Sequence, residues 1–224
     1  MNESISKIID KISDALNFFD FSFIVSGGLT FSIIYFTVDY LNISPLFFNT
    51  INTPLKIITC IGAIYICGLL SFAAGKNIRL AMLNLLNKER CFANIFIRTL
   101  KFIEKNGGNN SNEINSFINE EECILKLYYT SMWLKLRHCA DAEATIKHLN
   151  RFWVMQAVFE GLYFSFILAI ICCAILMSVN QNFSYCIYIT LSGAFICYKE
   201  AQRYAETQIN EIVIAYNKFI LNGN

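Results

Sequence analysis

Proline is almost missing from this chain. Only Pro45 and Pro54 occur in 224 residues, so no proline stops a helix anywhere after Pro54. Charge is scarce as well, at 16% of residues against 55% hydrophobic, with a mean hydropathy of +0.45. A soluble globule of this composition has too little polar surface to cover itself. The chain also lacks a Gly-rich phosphate loop, a dinucleotide fingerprint, a GxSxG elbow, an HExxH helix and any CxxC pair. Enzyme chemistry therefore has no anchor, and neither a catalytic group nor a cofactor is expected.

Four apolar windows fill much of the remaining sequence: Phe21 to Val38, Ile57 to Ala74, Gly161 to Val179 and Phe183 to Tyr198. Each is at or near the length at which an α-helix crosses roughly 30 Å of hydrocarbon. The third extends toward its start through Val154, Met155 and Ala157, at the expense of including Gln156 and Glu160. Acidic residues precede the first window and no small-residue cleavage site follows before Asp39, which is expected of a retained span rather than a signal peptide.

Positive charge is absent from two of the connections and crowded into a third. Asp39 to Leu55 and the Asn180-Gln181-Asn182 turn carry no Lys or Arg, whereas Lys76 to Arg151 holds twelve of the eighteen. Lys and Arg hold connecting segments on the cytoplasmic side. The expectation is a multi-pass protein of a bacterial inner membrane, with both termini and the middle segment cytoplasmic. Acidic residues reduce the net charge of that segment to about +4, too little for binding duplex nucleic acid by charge alone.

The fold class expected is an all-α integral membrane protein of about four transmembrane helices, some extending into a cytoplasmic helical stalk. Residues 1–20 form an amphipathic helix carrying Ile5, Ile8, Ile9, Ile12, Leu16 and Phe19 on one face. Transmembrane hairpins follow over 21–74 and 154–198, a cytoplasmic helical hairpin over 75–153, and a C-terminal helix over 199–224. From Ile57 the helical pattern runs past Gly75 to Ile103 without a strong breaker before the Asn106-Gly107-Gly108-Asn109-Asn110-Ser111 loop. It restarts near Asn119, which with Glu122 resembles a capping box, and proceeds to Gly161 either straight or with a bend near Thr130-Ser131.

Small and mildly polar residues recur every fourth position in these windows. The second carries Thr59, Ala63, Cys67, Ser71 and Gly75, the first Ser22, Ser26 and Thr30, and the fourth Cys186, Thr190 and Ala194. Such stripes permit close helix packing, the favoured reading, and they are also how a water-filled pore is lined. Glu160, with Gln156 one turn earlier on the same face, is an intramembrane ionisable candidate or else an interfacial residue with its head in water. Asp20 and Asp39 read as boundary residues.

The run Arg137 to His148 places His138 and Asp141 three apart, a ligand spacing on a helix, but His148 lies too far along to share an ion with them. Exposed i,i+4 pairs, Arg137 with Asp141 and Glu143 with Lys147, are the more ordinary account. Neighbouring copies that bring Arg137, Lys147, His148 and Arg151 together would offer a site to an anion. The nine cysteines do not suggest disulfides, and Cys172-Cys173 has no zinc-type partner pair. Cys60, Cys67, Cys172, Cys173, Cys186 and Cys197 fall in the apolar windows as small apolar residues, and Cys91, Cys123 and Cys139 are expected in a reducing cytoplasm.

Three short stretches carry a resemblance: Phe18-Phe19-Asp20-Phe21-Ser22-Phe23-Ile24-Val25-Ser26-Gly27, Ala73-Ala74-Gly75-Lys76-Asn77-Ile78-Arg79, and Ala142-Glu143-Ala144 leading through Asn150-Arg151-Phe152. They resemble small bacterial membrane proteins of anti-phage defence operons, the membrane effectors of the Hailong system among them. The resemblance implies a homo-oligomeric channel that depolarises the infected cell when a nucleotide or oligonucleotide signal from a partner nucleotidyltransferase opens it. A non-conducting membrane scaffold that docks a cytoplasmic partner is the other expectation.

Overall fold

The computed structural model describes residues 18–42, 53–86, 91–105 and 121–221. Among them there is no strand, and six α-helices account for almost every position: α1 (Phe18–Tyr40), α2 (Thr53–Leu86), α3 (Phe92–Lys105), α4 (Glu122–Arg137), α5 (Glu143–Met177) and α6 (Ser184–Tyr216). Pro54 stands in the first turn of α2, where its missing N–H has no helical partner to lose. At the other end of α1, Asn42 takes a left-handed conformation (φ 54°) and donates its N–H to the Asp39 carbonyl. Asn tolerates that backbone region better than most side chains.

The helices α2, α5 and α6 are 34, 35 and 33 residues long, well beyond the roughly 20 that one crossing of a bilayer takes. By length and composition three helices are apolar enough to cross a membrane, within Asp20–Tyr40, Pro54–Leu85 and Ala140–Met177. The fourth window, Phe183 to Tyr198, is not among them. Its helix begins only at Ser184, and Lys199 and Glu200 end the apolar run before it reaches full length.

Two expectations about helix continuity need correcting. The run expected from Ile57 to Ile103 is two helices, since α2 stops at Leu86 and α3 starts at Phe92. The sequence Asn84, Asn87, Lys88, Glu89, Arg90 offers no apolar face at the junction, while α3 itself is strongly amphipathic and buries Ile95, Phe96, Thr99 and Leu100. The second helix of the middle segment starts at Glu122, with Glu121 as its N-cap and no side-chain cap bond, and the Asn119 of the expected capping box lies outside the described residues. Finally, α4 passes straight through Thr130-Ser131 and ends at Arg137. Cys139 is extended (φ −88°, ψ 114°) and a 3-10 turn, Ala140–Ala142, leads into α5. The amphipathic helix expected before Phe18, the loop with Pro45 and the Asn106 to Ser111 loop lie outside the described residues.

The chain forms two compact units, Met1–Arg79 with Ala157–Ala201, and Leu80–Gln156 with Gln202–Asn224. The second has a conventional core. Phe96, Leu125, Leu136, Leu149, Ile212 and Val213 are essentially sealed from solvent, with Trp133 and Trp153 packed at 4.7 Å between ring centroids. Phe92 and Phe96 of α3 meet Tyr129 of α4 edge-on. Burial pushes the Tyr129 phenol well above its usual range, against a hydrogen bond with Gln208 that acts the other way. The expected C-terminal helix is the continuation of α6, whose Ile209, Ile212, Val213 and Tyr216 complete this core before a π turn at Asn217–Leu221.

The first unit is polar inside and apolar outside. Ser22, Ser26, Ser71 and Ser165 are 0% exposed, whereas Ile58 and Leu70 are 66% and 64% exposed. A protein folding in water would sort these side chains the other way. In hydrocarbon the sorting is reasonable, because packed helices satisfy each other's polar groups while Ile and Leu lose nothing by facing lipid.

Candidate functional site

Glycine sets the geometry of the first unit. A Cβ on Gly27 of α1 would overlap the Ile64 carbonyl of α2, and one on Gly68 of α2 would overlap the Phe23 carbonyl of α1. Gly75 of α2 lies in the same way against the Glu160 carbonyl of α5, and Gly161 of α5 lies against the Ser26 side chain. The α1–α2 and α2–α5 pairs therefore meet at backbone distance and the α1–α5 pair across the small Ser26 side chain, approaches that only small residues permit.

The close approach draws hydroxyls together at the centre. Thr30 Oγ1 lies 2.8 Å from Ser71 Oγ and 2.7 Å from Ser165 Oγ, linking all three helices. Ser71 Oγ is also 2.6 Å from the Cys67 carbonyl, and Ser165 Oγ is 2.9 Å from the Gly161 carbonyl and 3.2 Å from that of Ser26. Each hydroxyl carries one proton. The chain of bonds thus runs either from Ser165 through Thr30 and Ser71 to the Cys67 carbonyl, or from Ser71 through Thr30 and Ser165 to the Gly161 carbonyl. Ser26 Oγ donates back to the Ser22 carbonyl at 3.1 Å.

One turn beyond Gly75, Arg79 closes on Glu160. Its Nε and Nη2 both donate to Oε1, at 2.9 and 2.6 Å, with the side chains 5% and 0% exposed. Two charges inside an apolar bundle persist only when paired and hydrogen-bonded. Glu160 is therefore a buried partner of Arg79, and the interfacial placement with its head in water is corrected. Gln156 is half-buried.

The stripes are brought together unevenly. Ser22, Ser26, Thr30, Ser71 and Gly75 are buried, while Thr59, Ala63 and Cys67 are partly exposed toward the start of α2. On α6, Ala194 is buried and Cys186 and Thr190 are partly exposed. Arg79 was missed by sequence reasoning, which counted it as a topology marker. The available signal was the four-residue step itself, because carrying the row Thr59, Ala63, Cys67, Ser71, Gly75 one step further lands on Arg79. The glycines Gly27, Gly68 and Gly161 left no periodic trace of that kind.

In the second unit, Arg137, Lys147, His148 and Arg151 are exposed. Lys147 pairs with Glu143 at 2.8 Å, and His148 packs edge-on against Phe152 at 4.8 Å between ring centroids. The expected Arg137 to Asp141 pair is absent among the described residues, since α4 ends at Arg137 and Asp141 sits in the 3-10 turn. The same break removes the helical spacing of His138 and Asp141, and no cluster of three His, Cys, Asp or Glu groups occurs among the described residues.

Comparison of the chain with family models, with curated proteins and with solved structures finds no match. The functional reading rests on the geometry of the two units and on the sequence.

Proposed function

We propose that the protein is a multi-pass effector of a bacterial inner membrane that works as a homo-oligomeric channel, with the Arg79–Glu160 pair holding the closed state. The observation that carries the reading is that pair: two charges buried in a unit whose outer face is made of Ile and Leu. Their separation would leave both uncompensated and draw water between α2 and α5. α6 is taken as a fourth crossing, which keeps both termini cytoplasmic. The trigger is a nucleotide-derived anion met by Arg137, Lys147, His148 and Arg151 of several copies. That class of trigger, the depolarisation and the defence role rest on the resemblance of the short motifs alone.

Purified protein in planar bilayers tests the proposal. Nucleotide or oligonucleotide addition should produce stepwise current, and Arg79→Ala should conduct without any ligand. Silence of both, from protein that is folded by size-exclusion chromatography, overturns it. A non-conducting scaffold is the second reading. It is favoured by the engagement of Thr30, Ser71 and Ser165 in bonds within one chain, which removes them from any pore lining.

A further inference from the structure

The turn between α5 and α6 is tight. α5 ends at Met177, Ser178 and Val179 donate back to the Ile175 and Leu176 carbonyls, and a 3-10 turn at Gln181–Phe183 leads into Ser184. Cys173 stands about one turn before that reversal and Cys186 within the first turn after it, so antiparallel helices bring the two level. Both line one cavity of about 280 Å³ together with Cys172, Ser32, Thr37 and Thr190. Neither is fully buried, whereas Cys172 beside them is.

We propose that Cys173 and Cys186 form a reversible disulfide that staples the α5–α6 reversal. The absence of Lys and Arg from Asn180-Gln181-Asn182 puts this end of the hairpin outside the cytoplasm, where disulfides persist. The co-reactant is a disulfide of an extracytoplasmic thiol oxidant. The Cys173 thiol gives up its proton and its sulfur attacks the oxidant's disulfide, forming a mixed disulfide and releasing one oxidant thiol. Cys186, deprotonated in turn, attacks the Cys173 sulfur, closing the Cys173–Cys186 bond and releasing the second oxidant thiol. Two protons and two electrons pass from the chain to the oxidant. The inference rests on the membrane orientation and is independent of whether the protein conducts.

The test is thiol alkylation followed by peptide mass spectrometry on the full-length protein. In detergent, oxidised glutathione should remove two of the nine alkylatable thiols, yield a Cys173–Cys186 linked peptide and be reversed by dithiothreitol. Cys172→Ser should behave as wild type, and Cys173→Ser or Cys186→Ser should abolish the link. Nine reactive thiols after oxidation, or a link through Cys172, overturns the proposal. Acid-quenched aerobic cells should contain the bond. Its absence there, with a reporter inserted at residues 180–182 reading extracytoplasmic, overturns it too. A cytoplasmic reading of that reporter overturns the orientation, and the staple with it, separately from the geometry seen in detergent.

Discussion

Gly75 lies against the backbone carbonyl of Glu160, and the same approach of α2 to α5 lets Arg79, one turn on, reach the Glu160 carboxylate. The two features are one arrangement. A side chain at position 75 would push the helices apart and lengthen an ion pair that has no water to fall back on.

Substitution at these glycines should therefore separate cleanly from substitution at others. Gly68→Ala and Gly75→Ala each place a methyl group on a backbone carbonyl and should cost about 1–3 kcal/mol or more by overpacking. Gly28→Ala and Gly62→Ala meet nothing within 4 Å and should be neutral or slightly stabilising in their helices. Unfolding in mixed detergent and dodecyl sulfate, followed by circular dichroism, measures the difference. Equal loss at all four positions would remove the close-approach account.

The ion pair makes a prediction of a different form. Arg79→Met or Glu160→Met alone leaves a buried charge behind and should lower stability by about 3–5 kcal/mol, whereas Arg79→Met with Glu160→Met should recover most of that loss. A double-mutant cycle reads the coupling directly. A double variant as unstable as the sum of the singles would mean that the two side chains act through separate contacts.

Much of the helical content was legible in the sequence because hydrocarbon thickness and the scarcity of proline act on long segments and leave long signals. The apolar windows fall on α1, α2, α5 and α6, and Lys199 with Glu200 explains why the last is weaker. Breaks were harder to see. The end of α2 at Leu86 depends on where α3 finds a core for Ile95 and Phe96, and the break at His138–Cys139 on where Leu136 and Leu149 bury. These are tertiary demands with no glycine or proline to announce them. Within the site, the four-residue rows of Ser22, Ser26, Thr30 and of Ser71, Gly75 were readable, but that Thr30 joins Ser71 to Ser165 depends on how three helices are set against one another. Periodicity along one helix carries no such information.

The second unit can be followed through its own probe. The chain has two tryptophans, and both Trp133 and Trp153 belong to that core. Phe96, fully buried between α3 and α4, should cost about 3–5 kcal/mol when replaced by Ala, and the loss should appear as a lower midpoint in tryptophan fluorescence. Phe102→Ala, at a 61% exposed position on the same helix, should leave the midpoint within about 0.5 kcal/mol of wild type. A shift from Phe102→Ala as large as that from Phe96→Ala would contradict the packing of α3.

The number of crossings turns on α6. Its uncharged run, Ser184 to Tyr198, supplies roughly 22 Å of helix against roughly 30 Å of hydrocarbon. Lys199, whose ammonium lies 4.8 Å from the Phe195 ring centroid, has a stem long enough to carry its charge to the interface and make up part of the difference. Lys199, Arg203 and Lys218 would then all lie on the cytoplasmic side. Fusions to the C-terminus decide it: a fluorescent protein should be bright and alkaline phosphatase inactive, with the same result at the N-terminus. Active phosphatase at the C-terminus beside an inactive N-terminal fusion would leave three crossings and place α6 outside the bilayer. Replacing Lys199 and Arg203 together with Glu should weaken the bright C-terminal signal, since the positive charge that holds the end of α6 inside would be reduced to Lys218.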